Sequence, residues 1–161
     1  MNVVGSIGGH ASQRPRLGRA RWMSRSLSAL LASAVAIPLP HAGHAATPFD
    51  GTWSVVQDCP TAPDGARGYK WLYDAVVRDG NLVGEYGTRG KPSSLTLTGT
   101  IAADGTARLA ASGLTGESDR TVGYMQSGSK FYFTVDAKFA GAKGTGTRLA
   151  GRTCNFTFTK K

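Results

Sequence analysis

Histidine is missing from residues 47 to 161; the chain's three, His10, His41 and His44, all precede that stretch. Without an imidazole those residues cannot build a Ser-His-Asp triad, a Cys-His pair or a His-ligated metal site. Cysteine is limited to Cys59 and Cys154, too few for a thiolate metal centre. Acids are scarce, with 10 Asp and Glu against 19 Lys and Arg. Several of them, such as Asp79 and Asp104, precede glycine, where Asp serves local backbone bonding in turns. A glycosidase-like carboxylate pair would have to arise by spatial coincidence. A loop with spaced calcium ligands is also missing around Glu117 and Asp119. These absences lead to the expectation of a non-enzyme with no cofactor and no metal.

Long apolar runs are absent too. The longest, Leu27 to Ile37, stops at Pro38, short of the ~20 residues a spanning helix needs. Arg19, Arg21 and Arg25 precede it, and Ala42-Gly43-His44-Ala45-Ala46 follows. A cationic start, a short apolar middle and a small-residue exit describe a secretory signal peptide. We therefore expect residues 1 to 46 to be a leader, with Met23 as an alternative start, and residues 47 to 161 to form one exported domain. The expected location is the periplasm or the exterior, with no stable membrane insertion.

The leader changes the meaning of the charge. Five of the basic residues (Arg14, Arg16, Arg19, Arg21 and Arg25) lie within it, with no acid. The remainder carries mixed signs, as in Arg67, Lys70, Asp74, Arg78 and Asp79. Dense basic tracts with interleaved aromatics, the footprint of nucleic-acid binding, are missing, so no nucleic-acid partner is expected.

What the domain does have is glycine and period-two alternation. Asp79-Gly80-Asn81, Asp104-Gly105 and Ser127-Gly128-Ser129 are turn signals, because glycine takes the positive φ that tight turns require. Gly141 to Gly146 reads as a flexible hairpin loop. Between turns, Tyr69, Trp71, Tyr73, Ala75 and Val77 share one strand face, and Phe131, Phe133, Val135, Ala137 and Phe139 share another. Nothing after residue 47 sustains a 3.6-residue apolar period, so the fold class is all-β. Cys59 lies in phase with Trp53, Val55 and Gln57, and Cys154 with Phe156 and Phe158. In an oxidising compartment the two thiols are expected to join. The bond would clasp the first and last strands, so the expected architecture is a single antiparallel up-and-down barrel of about eight strands, closed by one disulfide.

Phe49-Asp50-Gly51-Thr52-Trp53 resembles the Gly-x-Trp opening of the calycin barrels, a group of lipocalins, avidins and small secreted inhibitors. The mature chain also resembles small exported proteins of Gram-negative bacteria. The calycin resemblance implies that Trp53 closes the barrel floor and that a late-strand base, Arg148 or Arg152, stacks over its ring. The middle and late lipocalin motifs are not present, and no avidin-like ligand set follows Trp53.

A calycin-like barrel can hold one small ligand or be filled by its own side chains. The candidate ligand contacts are Tyr69, Trp71, Tyr73 and Phe133, because a buried phenol wants a hydrogen-bond partner. The leading expectation is an exported non-enzymatic binding module for a small apolar ligand or an exported protein partner. One alternative is an inhibitor of a secreted or periplasmic protease or lysozyme, acting through an exposed Pro60–Gly68 loop that includes Asp64 and Arg67. Another is an envelope structural protein with no discrete site.

Overall fold

The structure, a computed structural model, describes residues 46 to 161. The expected leader therefore lies outside the described residues, apart from Ala46. Eight strands follow one another: β1 (Gly51–Cys59), β2 (Tyr69–Arg78), β3 (Asn81–Tyr86), β4 (Ser94–Thr100), β5 (Thr106–Leu114), β6 (Lys130–Ala140), β7 (Lys143–Arg148) and β8 (Cys154–Lys160). Each pairs antiparallel with its sequence neighbours, and β8 returns to pair with β1, closing the barrel. Among the described residues no helix is long and apolar enough to cross a membrane.

Alternation produces this closure directly. On β1, Trp53, Val55, Gln57 and Cys59 are buried, as are Val135 and Phe139 on β6 and Cys154, Phe156 and Phe158 on β8. The opposite faces meet solvent, including Leu72 at 65% and Tyr132 at 68% exposure. Residues two apart share a strand face, so one continuous apolar surface curls inward. Turn chemistry sets the hairpins. Asp79 and Gly80 both take positive φ, 51° and 75°, the backbone twist of a two-residue type I′ turn.

Glycine also works inside the strands, which corrects the reading of Gly141 to Gly146 as a loop. Only Gly141 and Ala142 form the turn, while Gly144 and Gly146 lie on β7. A Cβ on Gly144 would come within 2.7 Å of the Phe139 ring, and one on Gly146 within 2.9 Å of Val135. Missing side chains on β7 thus make room for bulky ones on β6.

The two ends of the barrel differ. One end is turned by short connections and filled by aromatics: Trp53 meets Phe139 edge-on at 5.3 Å, and Phe49 lies 6.1 Å from Phe139. The Trp53 Nε1 donates to the Phe49 carbonyl at 2.8 Å. Trp53 is buried at this end, but neither Arg148 nor Arg152 stacks on it; their guanidinium groups lie over Phe133 and Tyr69. The base facing Trp53 across the β1–β8 ladder is Lys160, whose ammonium donates to the Pro48 carbonyl at 2.9 Å. Arg148 begins no contact there because its register partner is Cys154, at the other end of β8.

Cys59 and Cys154 form the disulfide, with Cα atoms 4.3 Å apart and 95 residues between them in sequence. A loop of that size is worth about 4 to 5 kcal/mol in the chain-entropy account. Replacing both cysteines by alanine should therefore lower unfolding stability by up to about 4 kcal/mol. Urea titration of the two proteins measures it, and an unchanged midpoint would remove the clasp from the account of stability.

Asp50 ties the entering chain to the β2–β3 turn. Its carboxylate accepts from the Thr47 hydroxyl at 2.6 Å and from the Asp79 and Gly80 amides at 3.0 Å each. The Thr47 hydroxyl first, then the Gly80 amide, hold its pKa down to about 2. A carboxyl lowered from 3.8 contributes stability above that value and loses it as pH falls towards 2. Asp50→Asn should thus be less stable than wild type at neutral pH, and thermal midpoints should converge as pH falls through that window.

Candidate functional site

Opposite the Trp53 floor, the barrel is open. Its connections there are long: Pro60 to Gly68, Gly87 to Ser93, Thr115 to Ser129 and Leu149 to Thr153. A cavity of about 300 Å³ opens among them. Its first aromatic wall is Tyr69 and Trp71 of β2 with Tyr86 of β3. Trp71 stacks on Tyr86 at 4.3 Å with 11° between planes, and Tyr69 lies 4.6 Å from Trp71. The second wall is Phe131 and Phe133 of β6, stacked at 5.7 Å. β2 and β6 are four places apart in a closed ring of eight, so these walls face each other across the mouth.

Two arginines from the β7–β8 hairpin complete the inner lining. The Arg148 guanidinium sits 4.1 Å above the Phe133 ring, a cation–π stack. Its Nε donates to the Ala150 carbonyl at 2.9 Å, and its other two nitrogens make no hydrogen bond or ion pair among the described residues. Burial pushes the Arg148 pKa down and the neighbouring Arg152 charge adds to that, while Tyr69 opposes it. Arg152 is only 3% exposed. It lies 5.3 Å from the Tyr69 ring and donates to the Ala66 carbonyl at 2.8 Å and the Arg120 carbonyl at 3.2 Å. Its Nε has no partner among the described residues. Neither cation has a carboxylate within ion-pair distance among the described residues.

The outer lip is made by the β5–β6 connection, which holds two short 3-10 turns, Ser118–Arg120 and Val122–Tyr124. Thr115 pins its base, accepting from the Ser129 amide at 2.9 Å and donating to the Gln126 carbonyl at 2.5 Å. Arg120 and Glu117 line the cavity as a pair, Nε to Oε2 at 2.7 Å. Glu117 is also within 3.7 Å of Arg67, and Asp119 pairs with Arg67. These acids are already occupied by cations, and among the described residues no group of three His, Cys, Asp or Glu side chains could hold a metal ion.

Pro60 to Gly68 is exposed over most of its length, as expected, but it is tied to the neighbouring connection. Asp64 accepts from the Gly123 amide at 2.6 Å and the Ala66 amide at 3.1 Å, and its carbonyl accepts from the Tyr124 hydroxyl at 3.1 Å. Those amides hold the Asp64 pKa below its ordinary value, Gly123 first. The Arg67 amide donates to the Asp119 carbonyl at 2.7 Å. Ala62 and Ala66 are buried. Asp64 and Arg67 therefore bind the rim to itself, with Arg152 bridging both segments from beneath.

Of the expected ligand contacts, Tyr69, Trp71 and Phe133 line the cavity and Tyr73 does not. Tyr73 lies one inward step deeper on β2, against Gly84 and near Tyr86. Burial pushes its phenol well above the usual range, and its hydroxyl has no partner among the described residues. Gln57, fully buried, donates from Nε2 to the Tyr69 hydroxyl at 3.3 Å and leaves Oε1 unpartnered. The sequence reading missed Tyr86, although it is the third inward residue of Leu82-Val83-Gly84-Glu85-Tyr86. It also missed the lip residues Val122 and Met125, which carry no alternation to mark them.

Comparison with known proteins found no matching family model, no matching curated protein and no matching solved structure.

Arg152 should dominate the stability of this rim. Arg152→Met removes two charge-assisted bonds and leaves the Ala66 and Arg120 carbonyls unpaired, at an expected cost of about 3 kcal/mol. Arg120→Met, on an exposed pair, should cost under about 1 kcal/mol. Urea unfolding ranks the two, and equal effects would show that Arg152 is not the bridge.

Proposed function

We propose that the protein is an exported, non-enzymatic binding module that takes a small, largely apolar molecule into the open end of its barrel. The observation that carries this reading is the cavity of about 300 Å³ between two facing aromatic walls. That volume stands at the lower end of small-molecule sites, whose walls are mostly apolar with a few placed polar groups. Tyr69, Trp71, Tyr86, Phe131 and Phe133 supply the walls. The partly buried rings of Trp71 and Phe131 leave aromatic surface for a ligand without any loss of buried core.

The calycin-like opening, Gly51-Thr52-Trp53, is compatible with this reading, since the closed floor leaves one end for a ligand. Export accords with the Cys59–Cys154 bond, which persists in oxidising compartments. The inhibitor alternative draws less support, because its candidate loop is tied down by Asp64, Arg67 and Arg152. An envelope structural role has no need of a recessed mouth.

A neutral fluorescent probe, N-phenyl-1-naphthylamine, tests the reading. It should bind with one-to-one stoichiometry and quench tryptophan emission. Trp71→Ala should weaken it by about tenfold, as expected for loss of one stacked aromatic wall, without lowering the thermal midpoint comparably. No saturable binding, or binding indifferent to Trp71, would overturn it.

A further inference from the structure

Resting on the small-molecule reading, we propose that the mouth selects planar aromatic carboxylates, with Arg148 as the anion-binding residue. Four charged side chains line the cavity: Glu117, Arg120, Arg148 and Arg152. Glu117 and Arg120 neutralise each other at 2.7 Å. Arg148 and Arg152 remain, two cations near one another and near Tyr69, with only backbone carbonyls and ring faces as partners.

That arrangement is costly when the mouth is empty. Cations drawn out of water are normally matched by a carboxylate. Here the carboxylates nearest the rim are engaged: Glu117 and Asp119 by Arg67 and Arg120, and Asp64 chiefly by backbone amides, with the Arg152 charge a lesser influence on it. An anion entering from solvent therefore meets two cations with no carboxylate within ion-pair distance among the described residues, beside aromatic walls whose low polarity strengthens the attraction.

The form of the site narrows the anion. Arginine offers a planar fork of donors that matches the two oxygens of a carboxylate. Arg148 is held for this use: its Nε is committed to Ala150 and its plane rests on Phe133, while both terminal nitrogens lack an acceptor among the described residues. Arg152 is already spent on the Ala66 and Arg120 carbonyls, so it adds charge and positions the rim more than it grips. The Tyr69–Trp71–Tyr86 cluster and the Phe131–Phe133 pair line opposite sides of the recess with aromatic surface. A flat ring bearing one carboxylate satisfies the walls and the cation together, and about 300 Å³ suits a molecule of one or two rings.

Paired probes of the same shape test this. 2-Naphthoate and the neutral 2-naphthylmethanol should be compared by displacement of N-phenyl-1-naphthylamine. The carboxylate should bind at least about tenfold tighter at low salt, the scale of one charge-assisted bidentate contact. Arg148→Gln should reduce that advantage, taken as the ratio of the two affinities in the same variant, to less than about threefold, and Arg148→Lys should keep part of it. On the unaltered protein, raising salt from about 0.01 to about 1 M should weaken 2-naphthoate alone. The salt series decides the matter even if a variant folds poorly. Equal affinity for the two probes, with the dye still bound, would overturn the carboxylate inference and leave the small-molecule reading standing. Failure of the dye and both probes to bind would overturn the two together.

Discussion

The antiparallel pairing of β8 on β1, clasped by Cys59 and Cys154, is the constraint from which the rest of the molecule follows. An open eight-stranded sheet would present two edges of unpaired backbone groups and one broad apolar face. Closing it pairs those edges and converts that face into an interior. The bond lies at the end of the β1–β8 ladder, where Asp58 faces Asn155. Register is therefore pinned where the first and last strands meet at the mouth, and every other strand is joined to its neighbour through hairpins and loops in sequence order.

The same closure makes the two ends of the barrel unequal. Short turns at Asp79-Gly80 and Gly141-Ala142 leave little space beyond the strands, and Trp53, Phe49 and Phe139 fill it. Long connections at the opposite end cannot cover the barrel as tightly, so it stays open. Inward glycines sharpen the contrast: Gly144 and Gly146 let Phe139 and Val135 fill the lower interior. Higher up, Tyr69, Trp71 and Phe131 are only partly buried and leave a recess between them.

Much of this architecture was legible in the chain because period-two alternation is a local property. Trp53 through Cys59, Tyr69 through Val77 and Phe131 through Phe139 each declare their inward face without reference to any other strand. The positions of Arg148 and Arg152 are not local, and the resemblance to a Gly-x-Trp opening sent them to the wrong end. The register contained the correction. Trp53 lies six residues before Cys59, so in an antiparallel ladder its partner lies six residues after Cys154, at Lys160. The lip from Gly116 to Met125 was illegible for a different reason. Its shape comes from Asp64, Thr115 and Arg152 reaching across from other segments, and no pattern within it records those contacts.

Clasp and mouth are physically one assembly. Arg148 is the register partner of Cys154, so the residue that bonds to Cys59 sits directly across the β7–β8 ladder from the stacked guanidinium. Arg152 lies two residues before Cys154 and reaches the Ala66 carbonyl, within the connection that leaves Cys59. A barrel held shut only by its apolar interior would let this hairpin fray, because its last ladder pair is at the solvent end of the sheet. The disulfide denies it that freedom. What closes the sheet therefore also fixes two cations against the aromatic walls, and a covalent bond at this position does more for the mouth than one nearer the floor would do.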